Sequence, residues 1–386
     1  MGQMDWKVPP ENLNFSLGDC VVVNSMEPLN LLDADNSSLE SFFAILGERK
    51  FRSSQVIQWI HKSGVVEFDR MTNLSKNLRE LLAQKAFVTL PDMFEEKQSS
   101  DGCIKWLFKL NDNNIIETVY IPERSRGTLC ISSQAGCQLN CTFCATAQQG
   151  FSRQLKTSEI IGQLWLATRQ LEALDKNHHG ITNIVLMGMG EPLLNLSHVL
   201  PAIRLMLDNN AYNLSRKRVT LSTAGVIPGI DRLREECLTS LAVSLHAPYD
   251  ELRDKLVPLN KKYPIGDLLE ACKRYSKSNN DSEITFEYTM LEEVNDQPKH
   301  AKKLLEVLSA VPAKINLIPF NKVEGIPFRC SPVKSIDRFR QILLKGGIIS
   351  TTRKTRGDDI NAACGQLAGF VKPRILGRRS NSSWAD

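Results

Sequence analysis

No stretch of the 386-residue sequence is apolar over the ~18 to 20 residues that a membrane-spanning helix requires. The longest apolar run, around residues 184–189, is interrupted by Gly188. The first twenty residues contain no basic segment leading into an apolar one, and no low-complexity tract is present. We therefore expect a cytoplasmic protein with no membrane partner and no secretion signal.

The sequence also lacks an unusual composition. Hydrophobic residues make up 42% and charged residues 24%, which is typical of globular proteins, and the length predicts two to three folding units. In a reducing compartment, structural disulfides are rare and clustered thiols more often bind metal or carry out redox chemistry. Three of the ten cysteines are clustered, at Cys137, Cys141 and Cys144.

The net charge of +5 is unevenly distributed. Residues 1–100 hold more acidic than basic side chains, so the positive excess lies later in the chain. A basic stretch near the C-terminus contains Arg353, Lys354, Arg356, Arg374 and Arg378. This stretch could bind the phosphates of a nucleic acid, or it could be a solvated tail.

Changes in residue pattern divide the chain into five parts. We expect a loosely ordered arm over 1–38, a small helical accessory domain over 39–94, a linker and β-hairpin over 95–126, a βα region over 127–371 and a basic tail over 372–386. In the βα region, about six strands alternate with amphipathic segments of helical length, and residues 348–352 form a possible seventh strand. The expected fold class is α/β, with ligands bound where the strands end.

The three clustered cysteines follow the first of these strands with the spacing CxxxCxxC. A tetrahedral zinc site would need a fourth ligand from Cys103, Cys130 or His178. A [4Fe–4S] cluster held by three cysteines leaves one iron open for a substrate or cofactor. Packing of the cysteines on a helix is the third alternative, although the neighbouring Gly and Asn are weak helix formers.

The cysteine spacing, with Phe143 before the last thiol, resembles the radical S-adenosylmethionine superfamily. Turns after later strands also match its cofactor-binding segments, namely Gly190-Glu191, Ser222, Ser244-Leu245-His246 and Asn321. Glycine permits close backbone approach and Glu191 can pair with the ammonium group of the cofactor. Without the resemblance, Ser222 would be a helix cap, His246 an ordinary rim residue and Asn321 the start of a loop.

Residues 353–367, RKTRGDDINAACGQL, resemble the RNA adenine-C2 methyltransferases called RlmN. The family resemblance implies a partial (βα)6 radical-SAM barrel with an N-terminal small helical domain and a connecting β-hairpin. It also implies 23S rRNA and tRNA as substrates, one [4Fe–4S] cluster per chain, two S-adenosylmethionine molecules per turnover, and an electron donor of the flavodoxin or ferredoxin type.

The chemistry of this family answers the difficulty that C2 of adenine has no lone pair with which to attack a sulfonium methyl. In the family, one cofactor molecule methylates a cysteine, which Cys364 matches, and a second yields a radical that takes hydrogen from that methyl. The resulting methylene radical adds to C2. The resemblance assigns proton removal to Glu117 and product release to Cys130, which finishes as a disulfide with Cys364. By themselves, Cys130 could be a buried structural thiol and Glu117 an outward-facing strand residue.

Two alternatives stay open at this point. A close relative that methylates C8 of adenine shares the cluster and both cysteines, although Pro192 favours the C2 enzymes. A noncatalytic, metal-binding RNA-binding module is the alternative from another class.

Overall fold

The N-terminal unit is helical and begins earlier than the sequence predicts. The computed structural model describes residues 27–174 and 180–370, so most of the predicted arm, His178 and the tail over 372–386 lie outside the described residues. Asp35, within the predicted arm, caps the first helix by accepting from the backbone N–H of Ser38 at 3.0 Å. The polar residues that indicated a loose arm therefore include helix caps.

The helices of the N-terminal unit bury apolar side chains in a core that continues into that of the barrel. Leu39, Phe42, Val56 and Leu78 are buried there at helical spacing, as their periodicity predicts. Its elements are β1 (Leu29–Asn30), α1 (Asn36–Ile45), α2 (Phe51–Ile57), a π-helical turn (Gln58–Lys62), α3 (Lys76–Lys85) and β2 (Ala86–Phe87), with β1 and β2 paired in parallel.

Within the described residues, one ten-stranded sheet dominates the rest of the chain. Its strands, in chain order, are β3 (Asp92–Gln98), β4 (Ile104–Lys109), β5 (Ile115–Glu123), β6 (Arg126–Cys130), β9 (Ile181–Leu186), β10 (Val219–Thr223), β11 (Ser240–Ser244), β12 (Ile284–Met290), β13 (Ala313–Pro319) and β14 (Ile349–Thr352). Strands β6 and β9 to β14 pair in parallel, in chain order. A separate antiparallel pair, β7 (Gln134–Gly136) and β8 (Phe151–Gln154), flanks the cysteine loop.

Helices connect the parallel strands. They are α4 (Ala145–Gln149), α5 (Thr157–Ala173), α6 (Leu196–Leu207), α7 (Ile227–Glu236), α8 (Asp250–Leu256), α9 (Ile265–Ser278), α10 (Pro298–Leu308) and α11 (Val333–Lys345). This is the partial barrel of βα units that the sequence predicts, and the seventh strand is present as β14. No helix among the described residues is long and apolar enough to cross a membrane.

Strand β3 replaces part of the predicted linker. Residues 95–98 were expected to be irregular, but they belong to a strand that pairs antiparallel with β4. All seven residues of β3 are exposed, so no alternation of apolar and polar residues marks the strand. Charged side chains are common on such edge strands because they discourage further pairing. We call β3, β4 and β5 the antiparallel extension, since they continue the barrel sheet beyond β6.

Candidate active site

Two cavities meet inside the barrel. The larger, of about 700 Å³, is lined by polar side chains that point inward from the parallel strands, such as Thr128, Thr220 and Thr285. The smaller, of about 170 Å³, lies where the strands end and is lined by the cysteine loop and the turns after later strands. Both cavities share part of their walls, including Glu287, Asn321, Arg353 and Cys364.

The structure brings Cys137, Cys141 and Cys144 together on the wall of the smaller cavity. Burial raises the pKa of Cys141 to about 12, and the neighbouring thiol of Cys144 adds to the shift. Burial also raises the pKa of Cys137, again reinforced by the other two thiols. Buried thiols with raised pKa values lose their protons only when a positive charge lies next to them. The iron ions of an iron–sulfur cluster would supply that charge.

Three clustered thiols match the three-cysteine ligation of a [4Fe–4S] cluster, whereas a tetrahedral zinc site needs a fourth ligand. Among the described residues, no group of three His, Cys, Asp or Glu side chains is arranged to hold a single metal ion. Of the fourth ligands considered for zinc, Cys103 is buried beside Asp101, Cys130 lines the larger cavity and His178 is outside the described residues.

The turn after β9 places Gly190 and Glu191 at the smaller cavity. Gly190 has φ +99°, and a Cβ there would lie 2.4 Å from the Cβ of Gln134, so only glycine fits. Glu191 is buried, and its two carboxylate oxygens accept the backbone N–H groups of Leu193 at 3.1 Å and Ala224 at 2.8 Å. Burial raises its pKa to about 7, against the opposing effect of these hydrogen bonds.

The end of β10 carries two adjacent hydroxyl groups, those of Ser222 and Thr223. Thr223 Oγ1 accepts the backbone N–H groups of Gly225 at 2.9 Å and Val226 at 3.3 Å, which caps the following turn. Both Ser222 and Thr223 line the smaller cavity. The capping role considered for Ser222 therefore belongs to Thr223.

The turn after β11 places Ser244 and His246 on the cavity wall, whereas Leu245 is fully buried and lines neither cavity. His246 has φ +58° and its Nδ1 accepts the backbone N–H of Thr289 at 3.0 Å. Burial lowers its pKa to about 3, so the imidazole is neutral at pH 7. Its ring lies edge-on to Phe143 at 4.7 Å, which connects this turn to the cysteine loop.

Arg253 joins the turns after β10 and β11, and no sequence signal marks it. Its guanidinium is fully buried and donates to the carbonyl groups of Ala224 at 2.6 Å, Ser244 at 3.0 Å and Leu245 at 3.1 Å, and to the Asn260 side chain at 2.8 Å. An arginine in an amphipathic helix normally indicates a solvent-facing position, so sequence reasoning missed this residue.

The segment that carries Cys364, residues 356–370, packs against the end of the barrel, and we call it the Cys364 segment. Asn321 Nδ2 donates to the Cys364 carbonyl at 3.0 Å, so the predicted cofactor contact Asn321 also holds this segment. The backbone N–H of Ala145, directly after the last clustered cysteine, donates to Gly365 at 2.9 Å. Cys364 therefore lies on the wall common to both cavities, next to the cysteine loop.

Cys130 lies on the same face of β6 as Thr128 and lines the larger cavity with Cys364. Cys130 therefore faces the inside of the barrel. Burial raises the pKa of Cys130 to about 12, the charge of Cys364 adds to the shift and Arg353 opposes it. Both cysteines are free thiols in the structure.

Glu117 is buried but lines neither cavity. Its Oε1 is 3.4 Å from Lys105 Nζ and accepts the backbone N–H of Gly369 at 3.1 Å, while its Oε2 has no hydrogen-bond partner in the described part of the chain. The outward-facing reading of Glu117 is wrong, because both sides of β5 are covered.

Two charged residues lie on the common wall: Glu287, which the sequence analysis did not single out, and Arg353, which it placed only in a basic stretch. Glu287 is buried on β12, and its Oε1 accepts from Asn316 at 3.2 Å. Arg353 follows β14, where the nearby charges of Cys364 and Glu287 raise its pKa. The alternation of β12 could have indicated Glu287, because Thr285 and Glu287 are the polar residues of one strand face.

Comparisons with known proteins agree with this architecture. Residues 29–88 match the family described as the ribosomal RNA large subunit methyltransferase N-terminal domain, and residues 131–305 match the radical SAM superfamily. The first match begins at residue 29, so the family resemblance reaches into the predicted arm. The chain is 51% identical over 360 residues to a dual-specificity RNA methyltransferase RlmN from Marinobacter nauticus, covering 93% of this chain and 97% of that protein.

A solved structure gives the same result for the fold. The crystal structure of a radical SAM methyltransferase from Sphaerobacter thermophilus is 41% identical, with a TM-score of 0.81, covering 88% of this chain and 99% of that chain. The predicted α/β radical-SAM fold is therefore confirmed. Proteins that share only a fold do not show 51% sequence identity over 93% of a chain. The chain therefore belongs to the RlmN family of radical SAM methyltransferases.

Proposed function

We propose that this enzyme methylates C2 of an adenosine in 23S rRNA, and of the adenosine 3′ of the anticodon in tRNA, through a methyl group carried on Cys364. The observation that carries the proposal is the place of Cys364 on the wall between the two cavities. A thiol at that position can receive a methyl group from a cofactor on one side and deliver carbon to a base on the other.

The smaller cavity would hold the cofactors. Cys137, Cys141 and Cys144 would bind a [4Fe–4S] cluster, which together with two S-adenosylmethionine molecules per turnover supplies the methyl group and the radical chemistry. Gly190, Glu191, Ser222, Ser244, His246 and Asn321 would contact S-adenosylmethionine, and Leu245 would contribute through its backbone. The electron would come from a flavodoxin or ferredoxin.

The remaining roles fall on Cys130 and Glu117. Cys130 shares the larger cavity with Cys364, so its thiol can attack Cys364 Sγ, release the methylated base and end in a disulfide. Glu117 would accept the C2 proton on Oε2, the oxygen without a partner. Since Glu117 lines neither cavity, this role requires the base to approach β5 beneath the Cys364 segment.

The larger cavity suits a nucleotide. Its volume of about 700 Å³ lies in the range of ligand sites, and several basic side chains surround it, namely Arg126, Lys217, Lys314, Lys354 and Arg356. Lysine and arginine at the rim can neutralise RNA phosphates while the polar strand residues face the base. The basic tail over 372–386 would add phosphate contacts, and the whole reaction would take place in the cytoplasm.

Nucleoside mass spectrometry of 23S rRNA and tRNA treated with the purified, cluster-loaded enzyme tests the proposal. We expect 2-methyladenosine in both RNAs, and no product from Cys364→Ala. Methylation at C8 of adenosine would identify the alternative enzyme. Unmethylated RNA, together with no cleavage of S-adenosylmethionine, would identify a noncatalytic RNA-binding module.

A further inference from the structure

The antiparallel extension contacts the Cys364 segment through a half-exposed group of polar residues. Ser99 Oγ donates to Asp359 Oδ1 at 2.6 Å, and Arg356 Nε lies 2.8 Å from Asp101 Oδ2. These contacts join residues about 250 positions apart in the chain. They fix the beginning of the segment before Cys364.

A buried ion pair makes a second, deeper contact. Lys105 on β4 and Glu117 on β5 approach to 3.4 Å between Nζ and Oε1, and each side chain is only 6% exposed. Lys105 Nζ also donates to the carbonyl of Asn361 at 3.1 Å, and Glu117 Oε1 accepts from the N–H of Gly369 at 3.1 Å. The pair therefore holds the backbone on both sides of Cys364.

Stability alone does not explain a pair of charges at this place. Desolvating two charges costs several kcal/mol, and apolar residues of similar volume commonly stabilise a fold as well or better. Apolar side chains would fill the space between β4 and β5, but they could not bind the backbone of the Cys364 segment. Position matters for the chemistry, because a misplacement of about 1 Å can lower a rate by about 100-fold.

We propose that Lys105 and Glu117 are positioning residues for Cys364, which hold its segment at Asn361 and Gly369 so that Sγ stays at the wall between the two cavities. The inference rests on the proposed function. It differs from proton acceptance by Glu117, because the contact uses Oε1 whereas Oε2 has no partner.

The first methyl transfer isolates positioning from proton acceptance. In that step the sulfonium methyl of S-adenosylmethionine moves to Cys364 Sγ, the thiol proton is released to solvent and S-adenosylhomocysteine is left. No RNA takes part, so the C2 proton is not involved. A slower rate of this step therefore reports the position of Cys364.

The test uses the double variant Lys105→Met/Glu117→Leu in the cluster-loaded enzyme without RNA. Two apolar residues replace the pair, so we expect a folded protein with unchanged binding of S-adenosylmethionine. Methylation of Cys364, followed by intact-protein mass spectrometry, should slow by about 10- to 100-fold.

Lys97→Met is the matched control. Lys97 is the cross-strand partner of Lys105 on β3, with an exposed side chain that pairs only with Glu95 in the described structure. It undergoes the same chemical change without touching the Cys364 segment, so the methylation rate should be unchanged.

Hydrogen exchange over residues 357–370 separates this inference from the proposed function. Exchange should accelerate in the double variant and stay unchanged in Lys97→Met. If exchange responds but the wild-type enzyme never methylates Cys364, the proposed function fails and the positioning role stands. A double variant with wild-type exchange and wild-type methylation of Cys364 overturns the inference. Should the double variant not fold, Lys105→Met/Glu117→Gln, which also leaves no buried charge and still removes the Lys105–Asn361 contact, carries the same two measurements with the same criteria.

Discussion

The proposed cofactor side of the site, formed by the turns after β9, β10 and β11, and the Cys364 side are held by different kinds of contact. The cofactor turns follow directly after parallel strands, so neighbouring strands bring Glu191, Ser222 and Ser244 together. The Cys364 segment instead reaches its place through long-range contacts with the antiparallel extension and with Asn321. The first side depends on local sequence and sheet order, and the second on tertiary docking.

We expect the largest effect from a variant that cannot hold the iron–sulfur cluster. Cys141→Ala should abolish methylation and the cluster, because Cys141 is one of the three clustered cysteines proposed to hold the cluster at the smaller cavity. Iron analysis and absorbance after anaerobic reconstitution measure the loss. Cys330→Ala, an exposed cysteine away from the cavities, is the control. A full complement of four irons in Cys141→Ala would contradict the assignment.

The second prediction separates the two thiols of the Cys364 side. Cys130→Ala should stall after the RNA has bonded to Cys364 and accumulate a protein–RNA crosslink, whereas Cys364→Ala should form none. Denaturing gel electrophoresis with labelled RNA detects the crosslink. A purely structural cysteine would show only lost stability of about one to a few kcal/mol. Full turnover by Cys130→Ala would refute the release step.

The third prediction removes the hydrogen bonds by which Arg253 connects the turns after β10 and β11. Arg253→Met should lower the free energy of unfolding by about 3 kcal/mol, because three backbone carbonyl groups lose a charged donor. The affinity for S-adenosylmethionine should also fall, because the turns that Arg253 connects are the ones proposed to contact it. Urea unfolding and equilibrium dialysis measure the two effects. Arg274→Met, at an exposed ion pair with Asp231, is the matched control and should change neither.

The smallest expected effect concerns the N-terminal unit. Burial, reinforced by the charge of Arg169, lowers the pKa of His61 to about 3, and its Nδ1 lies 3.2 Å from the Tyr212 hydroxyl. The imidazole is neutral in the folded state but titrates near 6.5 when unfolded. The folded state therefore loses stability as the pH falls below 6.5, by about 2 kcal/mol at pH 5.

His61→Gln tests this contribution, since it removes the titrating group and keeps a hydrogen-bonding side chain. Urea unfolding at pH 7 and pH 5 should show a smaller loss of stability in the variant. The buried His246 has a similarly lowered pKa and stays in both proteins, so the comparison isolates His61. An identical pH dependence in the two proteins would exclude it.

The sequence alone predicted the parallel strands, the cysteine loop and the turns that carry Gly190, Glu191, Ser222 and His246. These features are local: a strand, a turn and a ligand spacing lie within a few residues of one another, and sheet order then brings successive turns to one end. The same reasoning missed β3 and the start of the helical unit, because exposed strand residues and capping residues have the composition of loops.

Only the tertiary structure decided which charged residues are buried and what they hold. Arg253 and Lys105 occupy ordinary sequence positions, and nothing local distinguishes them from solvent-exposed side chains. Their partners are distant in the chain: Lys105 and Asn361 are 256 residues apart. Cys364 likewise has no local metal or strand pattern, and its place between two cavities follows from the docking of its segment onto the antiparallel extension. Local sequence determines where the proposed cofactor turns lie, and long-range packing determines where Cys364, the proposed methyl carrier, lies.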